Sequence, residues 1–214
     1  MEGSLTIPSS WDQTYNVELE NHASDPSDTG TVWFSDSAAS ERILAYILSQ
    51  DLPPETSFLD LGTGNGEMLF RLREEGGFTG NMLGVDYSAS SVELAKRIAD
   101  SKGLTEGLAF EVWDVLEDRE EPSAFDVVLD KGTFDAVSSS GQGGVEERYV
   151  RKVGSLVREG GLVLITSCNW TEKELRSWFE GGSLEYHGRI DYPVFRFGGQ
   201  TGQSLSSICL RKRQ

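Results

Sequence analysis

The chain predicts an α/β fold, a mostly parallel sheet with helices on both faces, and three features carry that prediction. From Phe58 to Phe179, short apolar runs alternate with segments of helical periodicity. Alternating β and α elements close into a parallel sheet through right-handed crossovers. Four consecutive predicted strands end in an acid: Asp60, Asp86, Asp114 and Asp130. The first of them breaks at Ser57–Gly66, S-F-L-D-L-G-T-G-N-G, into three glycines at alternate positions, Gly62, Gly64 and Gly66, and a helical pattern follows at once. Strand, tight turn and helix in that order bring backbone N–H groups and a helix N-terminus close to a ligand, because glycine has no Cβ in the way.

The elements follow in order. Residues 1–36 carry no strong period; they hold Trp11–Tyr15 and the pair Trp33-Phe34 on either side of a polar, turn-prone stretch, Asn21–Gly30. Exposed tryptophans are costly, so this arm is expected to pack on a main domain spanning 37–214, either as plain cover or as a lid or substrate wall. Residues 37–50 read as a helix capped by Ser37, with Ile43, Leu44, Ile47 and Leu48 as its stripe, ended by Pro53-Pro54. After the glycine turn, Met68, Leu69 and Leu72 share a helix face. Met82–Val85 is a strand, and Ser88 can cap a helix with Val92, Leu94, Ala95, Ile98 and Ala99 inward. Leu108–Trp113 and Phe125–Leu129 are strands, Val145–Val157 a helix, and Leu162–Ile165 a strand apolar enough to be covered on both faces. Thr171 and Glu174 mark a capped helix to Phe179, and Leu184–Ile190 with Ser204–Leu210 form a closing pair of strands. Nothing separates a second domain.

Composition narrows the function. The net charge is −16, from 35 acids against 19 Lys+Arg, which argues against nucleic-acid or anionic-membrane partners, since both need basic patches. No run is long and apolar enough to span a bilayer, and the first residues lack the pattern of a signal peptide, so a cytoplasmic location is expected. Cys168 and Cys209 lack metal-ligand spacing and are expected to be buried thiols, and with only His22 and His187 beside them no metal site is predicted. Residues 1–55 hold ten acids against one base, Arg42, a local net charge of −9. Such an arm can steer a basic partner, or it can simply be a solvated face.

The glycine turn is not the dinucleotide pattern G-x-G-x-x-G, because its third glycine comes one residue early and Asp60 would repel a pyrophosphate. D-x-G-x-G-x-G instead resembles motif I of the S-adenosylmethionine-dependent methyltransferases. That resemblance implies a Rossmann-like, class I fold with a mixed, mostly parallel seven-stranded sheet and S-adenosylmethionine as cofactor. In that family Asp60 and the turn Gly62, Thr63, Gly64, Asn65 and Gly66 would face the methionine end. Asp86, followed by Tyr87, would take the ribose hydroxyls, and Asp114 with Val115 the adenine.

A narrower resemblance lies in D-K-G-T-F-D-A at Asp130–Ala136, W-D-Q-x-Y at Trp11–Tyr15, T-V-W-F at Thr31–Phe34, T-S-C-N-W-T at Thr166–Thr171 and F-R-F-G-G at Phe195–Gly199. These segments are similar to the eukaryotic lysine methyltransferases that modify translation elongation factor 1-alpha. The resemblance implies a protein substrate, that factor; a monomer is expected. It implies that Asp130 orients the lysine amine and receives its proton, that Phe134 forms an apolar wall, and that Asp130 also borders the cofactor. Trp11, Tyr15, Trp33, Phe34, Asn169 and Trp170 would lie on the substrate side. Two alternatives stay open at this point: a small-molecule methyltransferase, and a non-catalytic S-adenosylmethionine-binding adaptor.

Overall fold

The computed structural model describes residues 10–117, 124–197, 200–203 and 205–214. Five parallel strands form the centre of the sheet: β1 (Phe58–Leu61), β2 (Met82–Asp86), β3 (Leu108–Val112), β4 (Phe125–Lys131) and β5 (Val157–Ser167). β6 (Leu184–Ile190) and β9 (Ser206–Lys212) complete it, with β9 antiparallel to both β5 and β6. The order is β3-β2-β1-β4-β5-β9-β6. The chain runs outward from β1 to β3 and returns to β4, so the switch point lies between β1 and β4, where such sheets bind ligands at the carboxyl ends of the strands.

Period two along these strands feeds two cores. Phe58, Val127, Leu129, Leu162 and Leu164 face one cluster, while Leu59, Leu61, Val128, Val163 and Ile165 face the other. The first cluster takes α2 (Ala39–Leu48), α3 (Glu67–Glu74) and α4 (Ala89–Lys102) through Ile43, Leu69, Leu72, Val92 and Ile98. The second takes α5 (Thr133–Ser138), α6 (Val145–Leu156) and α7 (Glu172–Phe179) through Phe134, Val153, Leu175 and Phe179. A strand sandwiched this way has no polar face, which explains the continuous apolar runs.

The caps are local. Ser88 Oγ accepts the Ser91 N–H, and Thr171 with Glu174 forms a reciprocal capping box. Ser37 does not cap α2. Its own N–H closes onto the Phe34 carbonyl inside a 3₁₀ turn, Ser35–Ser37, and α2 begins after Ala38 in a left-handed conformation at φ 51°.

The arm contains a helix that the sequence did not announce, α1 (Ser10–Ser24), packed against α4. Ser90 Oγ donates to Asn16 Oδ1 at 2.5 Å. Tyr15, Glu18 and His22 are its buried residues, spaced as one helix face requires. Glu18, one of the ten acids of residues 1–55, is not solvated: it is buried and accepts the Thr31 N–H at 3.0 Å. Cys168 is a second correction: it is exposed, because it follows β5 into an open loop, whereas Cys209 is buried in β9. Val194–Phe197 and Gln200–Gln203 pair as a hairpin, β7 and β8, where no strand was foreseen. Gly198 and Gly199 of the F-R-F-G-G segment, and Ser204, lie outside the described residues.

Candidate active site

The glycine turn is held from three sides. Thr63 N–H donates to the Val85 carbonyl at 2.9 Å, Gly64 N–H to Asp86 Oδ2 at 3.1 Å, and Asn65 Nδ2 to the Thr29 carbonyl at 2.8 Å. Gly62 has φ 65°, and a Cβ there would sit 2.1 Å from Thr133 Oγ1. Gly64 has φ 56°, and its Cβ would sit 2.6 Å from Tyr15 Oη. The turn is therefore pressed between the arm and the start of α5, and only glycine meets both conditions. Gly66 then caps α3 from a left-handed conformation.

A cavity of about 340 Å³ opens at the switch point. Gly62, Asp86, Tyr87, Asp114 and Val115 line it from the β1–β3 side. Trp11, Tyr15, Trp33 and Phe34 line it from the arm, with Trp11 and Trp33 edge to face at 4.9 Å. Asn169 lines it from the loop after β5. Thr63, Gly64, Asn65 and Gly66 shape the turn from outside the lining.

Asp60 also lies outside the lining. It is buried and accepts from Thr63 Oγ1 at 2.9 Å, and desolvation pushes its pKa up to about 7 against that hydrogen bond and the nearby Lys131. Asp86 accepts from both Gly64 and Ser88 N–H, and burial still raises its pKa.

The expected catalytic pair is placed elsewhere than the resemblance implies. Asp130 is enclosed: it accepts Thr133 N–H at 2.8 Å, Phe134 N–H at 3.0 Å and Tyr149 Oη–H at 2.7 Å. Desolvation pushes it up to about 7. Its carboxylate caps α5, and Asp130 is not among the residues that line the cavity. Phe134 is fully buried and packs against Phe179 at 4.9 Å, Tyr149 at 5.7 Å and Trp170 at 5.7 Å, so it and Trp170 build the core behind the site.

The cavity also takes residues that went unnoticed in the sequence: Trp113, Lys131, Thr133, Asp135 and Cys168. Lys131 Nζ donates to the Trp33 carbonyl at 3.2 Å and so fastens the arm over the site. Burial pulls its pKa down while Glu67 and Asp60 hold it up. Lys131 and Asp135 both stand in the D-K-G-T-F-D-A segment, a signal that was present. Cys168 is pushed up to about 11 by burial and by Asp135, so it remains a thiol.

The donor set suits a nucleoside carrying a cationic centre. Two carboxylates, Asp86 and Asp114, line the strand-end half, and Tyr87 Oη is a buried polar atom without a partner among the described residues. Such an atom is costly unless a ligand satisfies it. The fit to S-adenosylmethionine is therefore chemical as well as topological.

Comparison with known proteins agrees. Residues 52–199 match the family described as "Methyltransferase domain". The chain is 39% identical over 212 residues to "Protein-lysine N-methyltransferase EFM4" of Saccharomyces cerevisiae, covering 95% of this chain and 92% of that protein. It is 35% identical over 204 residues to "EEF1A lysine methyltransferase 2" of Homo sapiens, covering 94% and 84%. Among solved structures, a TehB-like SAM-dependent methyltransferase of Corynebacterium glutamicum superposes with a TM-score of 0.64 at 17% identity, over 96% of this chain and 100% of that one. The chain belongs to the class I S-adenosylmethionine-dependent methyltransferases, beside these two lysine-modifying relatives.

Proposed function

We propose that this enzyme methylates a lysine side chain of translation elongation factor 1-alpha, working in the cytoplasm as a monomer, with no direct nucleic-acid or membrane contact. The observation that carries the reading is similarity along nearly the whole chain, arm included, to proteins named for lysine methylation, one of them on EEF1A. A relationship confined to the cofactor half would have left the substrate open.

S-adenosylmethionine, when bound, supplies an electrophilic methyl group on a sulfonium sulfur. The chain's part is to bind, orient and desolvate. Asp86 is placed to accept from ribose hydroxyls, and Asp114 with Val115 to meet the adenine. A lysine amine must be neutral to attack. At its ordinary pKa of ~10.4, about one amine in a thousand is neutral near pH 7.4, a deficit of roughly 4 kcal/mol. Trp11, Tyr15, Trp33 and Phe34 give the cavity an aromatic wall, and desolvation beside a sulfonium lowers that cost. Alignment of amine, methyl and sulfur supplies the rest.

The test is incubation with methyl-labelled S-adenosylmethionine and purified elongation factor 1-alpha, followed by mass mapping of the label. Label on a lysine of the factor is expected. Cofactor binding with no labelled lysine would overturn the proposal and leave the adaptor reading, and label on a small molecule would favour the other alternative.

A further inference from the structure

Three acids line the cavity among the described residues: Asp86, Asp114 and Asp135. The first two stand at the ends of β2 and β3, in the cofactor half. Asp135 stands on the β4–β5 side, in the first turn of α5, beside Cys168 and Asn169.

Its carboxylate is built in. Asp135 is 6% exposed. Ser167 Oγ–H donates to Oδ1, and Cys168 N–H donates to Oδ2 at 2.8 Å. Ser167 Oγ in turn accepts the N–H groups of Asn169 at 3.1 Å and Trp170 at 2.9 Å. The loop after β5 therefore fixes the carboxylate, with no cation among the described residues paired to it. The Cys168 thiol is a third donor to it. An ionised carboxylate has about four acceptor positions, so about one is left free. A buried carboxylate with an open acceptor position in a cavity wall suits a cationic donor.

We infer that Asp135 is a catalytic residue of the transfer: it receives the target lysine as an ammonium and takes one of its protons. The inference rests on the lysine-methyltransferase reading above. One N–H bond breaks and an O–H bond forms on Asp135, leaving a neutral amine beside it. The nitrogen lone pair then forms the N–C bond as the C–S bond breaks, with that electron pair retained by sulfur. Positive charge passes from sulfur to nitrogen, and Asp135 releases its proton to water. The titratable groups facing Asp135 are Asp130 on β4, Tyr149 on α6 and Cys168 after β5. None is cationic; Lys131, the lysine of the same lining, is turned to the Trp33 carbonyl and to Glu67 and Asp60 instead.

The test compares the parent with Asp135→Asn, whose amide oxygen keeps the Ser167 Oγ–H bond while its nitrogen gives up the Cys168 N–H bond. Single-turnover transfer to intact elongation factor 1-alpha is followed from pH 7 to 9.5, with thermal unfolding and binding of the factor to cofactor-free protein measured alongside. At pH 7.5 the variant should be at least 50-fold slower, and the deficit should shrink to less than tenfold at pH 9.5, where solvent itself neutralises the lysine. Its binding of the factor should weaken severalfold, and its unfolding temperature should fall by only a few degrees, the cost of one lost hydrogen bond. An unchanged rate, or a loss that is the same at every pH, would overturn the inference and leave Asp135 as a loop anchor. A parent that transfers nothing to the factor fails at the earlier step, and takes the proposed function and this inference down together.

Discussion

Replacing Asp130 with Asn should change how stability depends on pH. Asn is nearly isosteric: Oδ1 can keep the Thr133 N–H bond and the longer Phe134 N–H contact at 3.3 Å, and Nδ2 can donate to Tyr149 Oη. The difference is charge. Burial lifts the Asp130 pKa from 3.8 to about 7, so between those values the folded chain holds a proton that the unfolded chain has released. Stabilisation from this group is full below pH 3.8 and is lost as pH rises through about 7. Between pH 5 and pH 8 about two pKa units of that shift are traversed, worth about 3 kcal/mol. For a chain of this size that is about 6–12 °C in unfolding temperature. The variant has no proton to lose there. Asp60, shifted the same way, is present in both proteins and cancels. Thermal unfolding at pH 5 and pH 8 should therefore show the variant gaining on the parent by that margin at the higher pH. A gap between the two proteins that is the same at both pH values would refute the argument, because Asp130 would then be ionised throughout and not desolvated.

Two further outcomes follow from the arm. Gly64→Ala forces a Cβ to within 2.6 Å of Tyr15 Oη and should weaken S-adenosylhomocysteine binding at least tenfold; adding Tyr15→Phe should restore part of it, leaving a left-handed strain of about 1–2 kcal/mol. Calorimetry checks both, and no recovery in the double variant would mean that the turn's own conformation sets the affinity. Glu20→Gln, Asp25→Asn and Asp28→Asn together, with buried Glu18 left intact, should lower kcat/KM on elongation factor 1-alpha at low salt and spare cofactor binding, since surface steering is screened beyond about 8 Å at physiological ionic strength. Equal efficiency at every salt concentration would make the arm a solvated face.

The parallel strands were legible because burial on both faces writes itself into composition: Val127, Val128 and Leu129 must all be apolar when they alternate between two cores. The caps at Ser88 and Thr171 were legible because they depend on neighbours three residues away. Helix α1 was not. Its buried face is Tyr15, Glu18 and His22, so the helical period is present but two of its three positions are polar, and hydrophobic periodicity cannot register them. The acids show the same division. Their presence at the carboxyl ends of the strands is local information. Which of them meets the cavity depends on how far each strand runs and which face the pleat assigns. Asp86 is the last residue of β2 and reaches the cavity, whereas β4 continues through Asp130 to Lys131. Period two then turns Asp130 to the side of Val128, against Tyr149 of α6, and the start of α5 brings Asp135 to the opening instead. Strand length and pleat parity come from packing between segments far apart in the chain, so the tertiary structure alone could choose between two aspartates five residues apart.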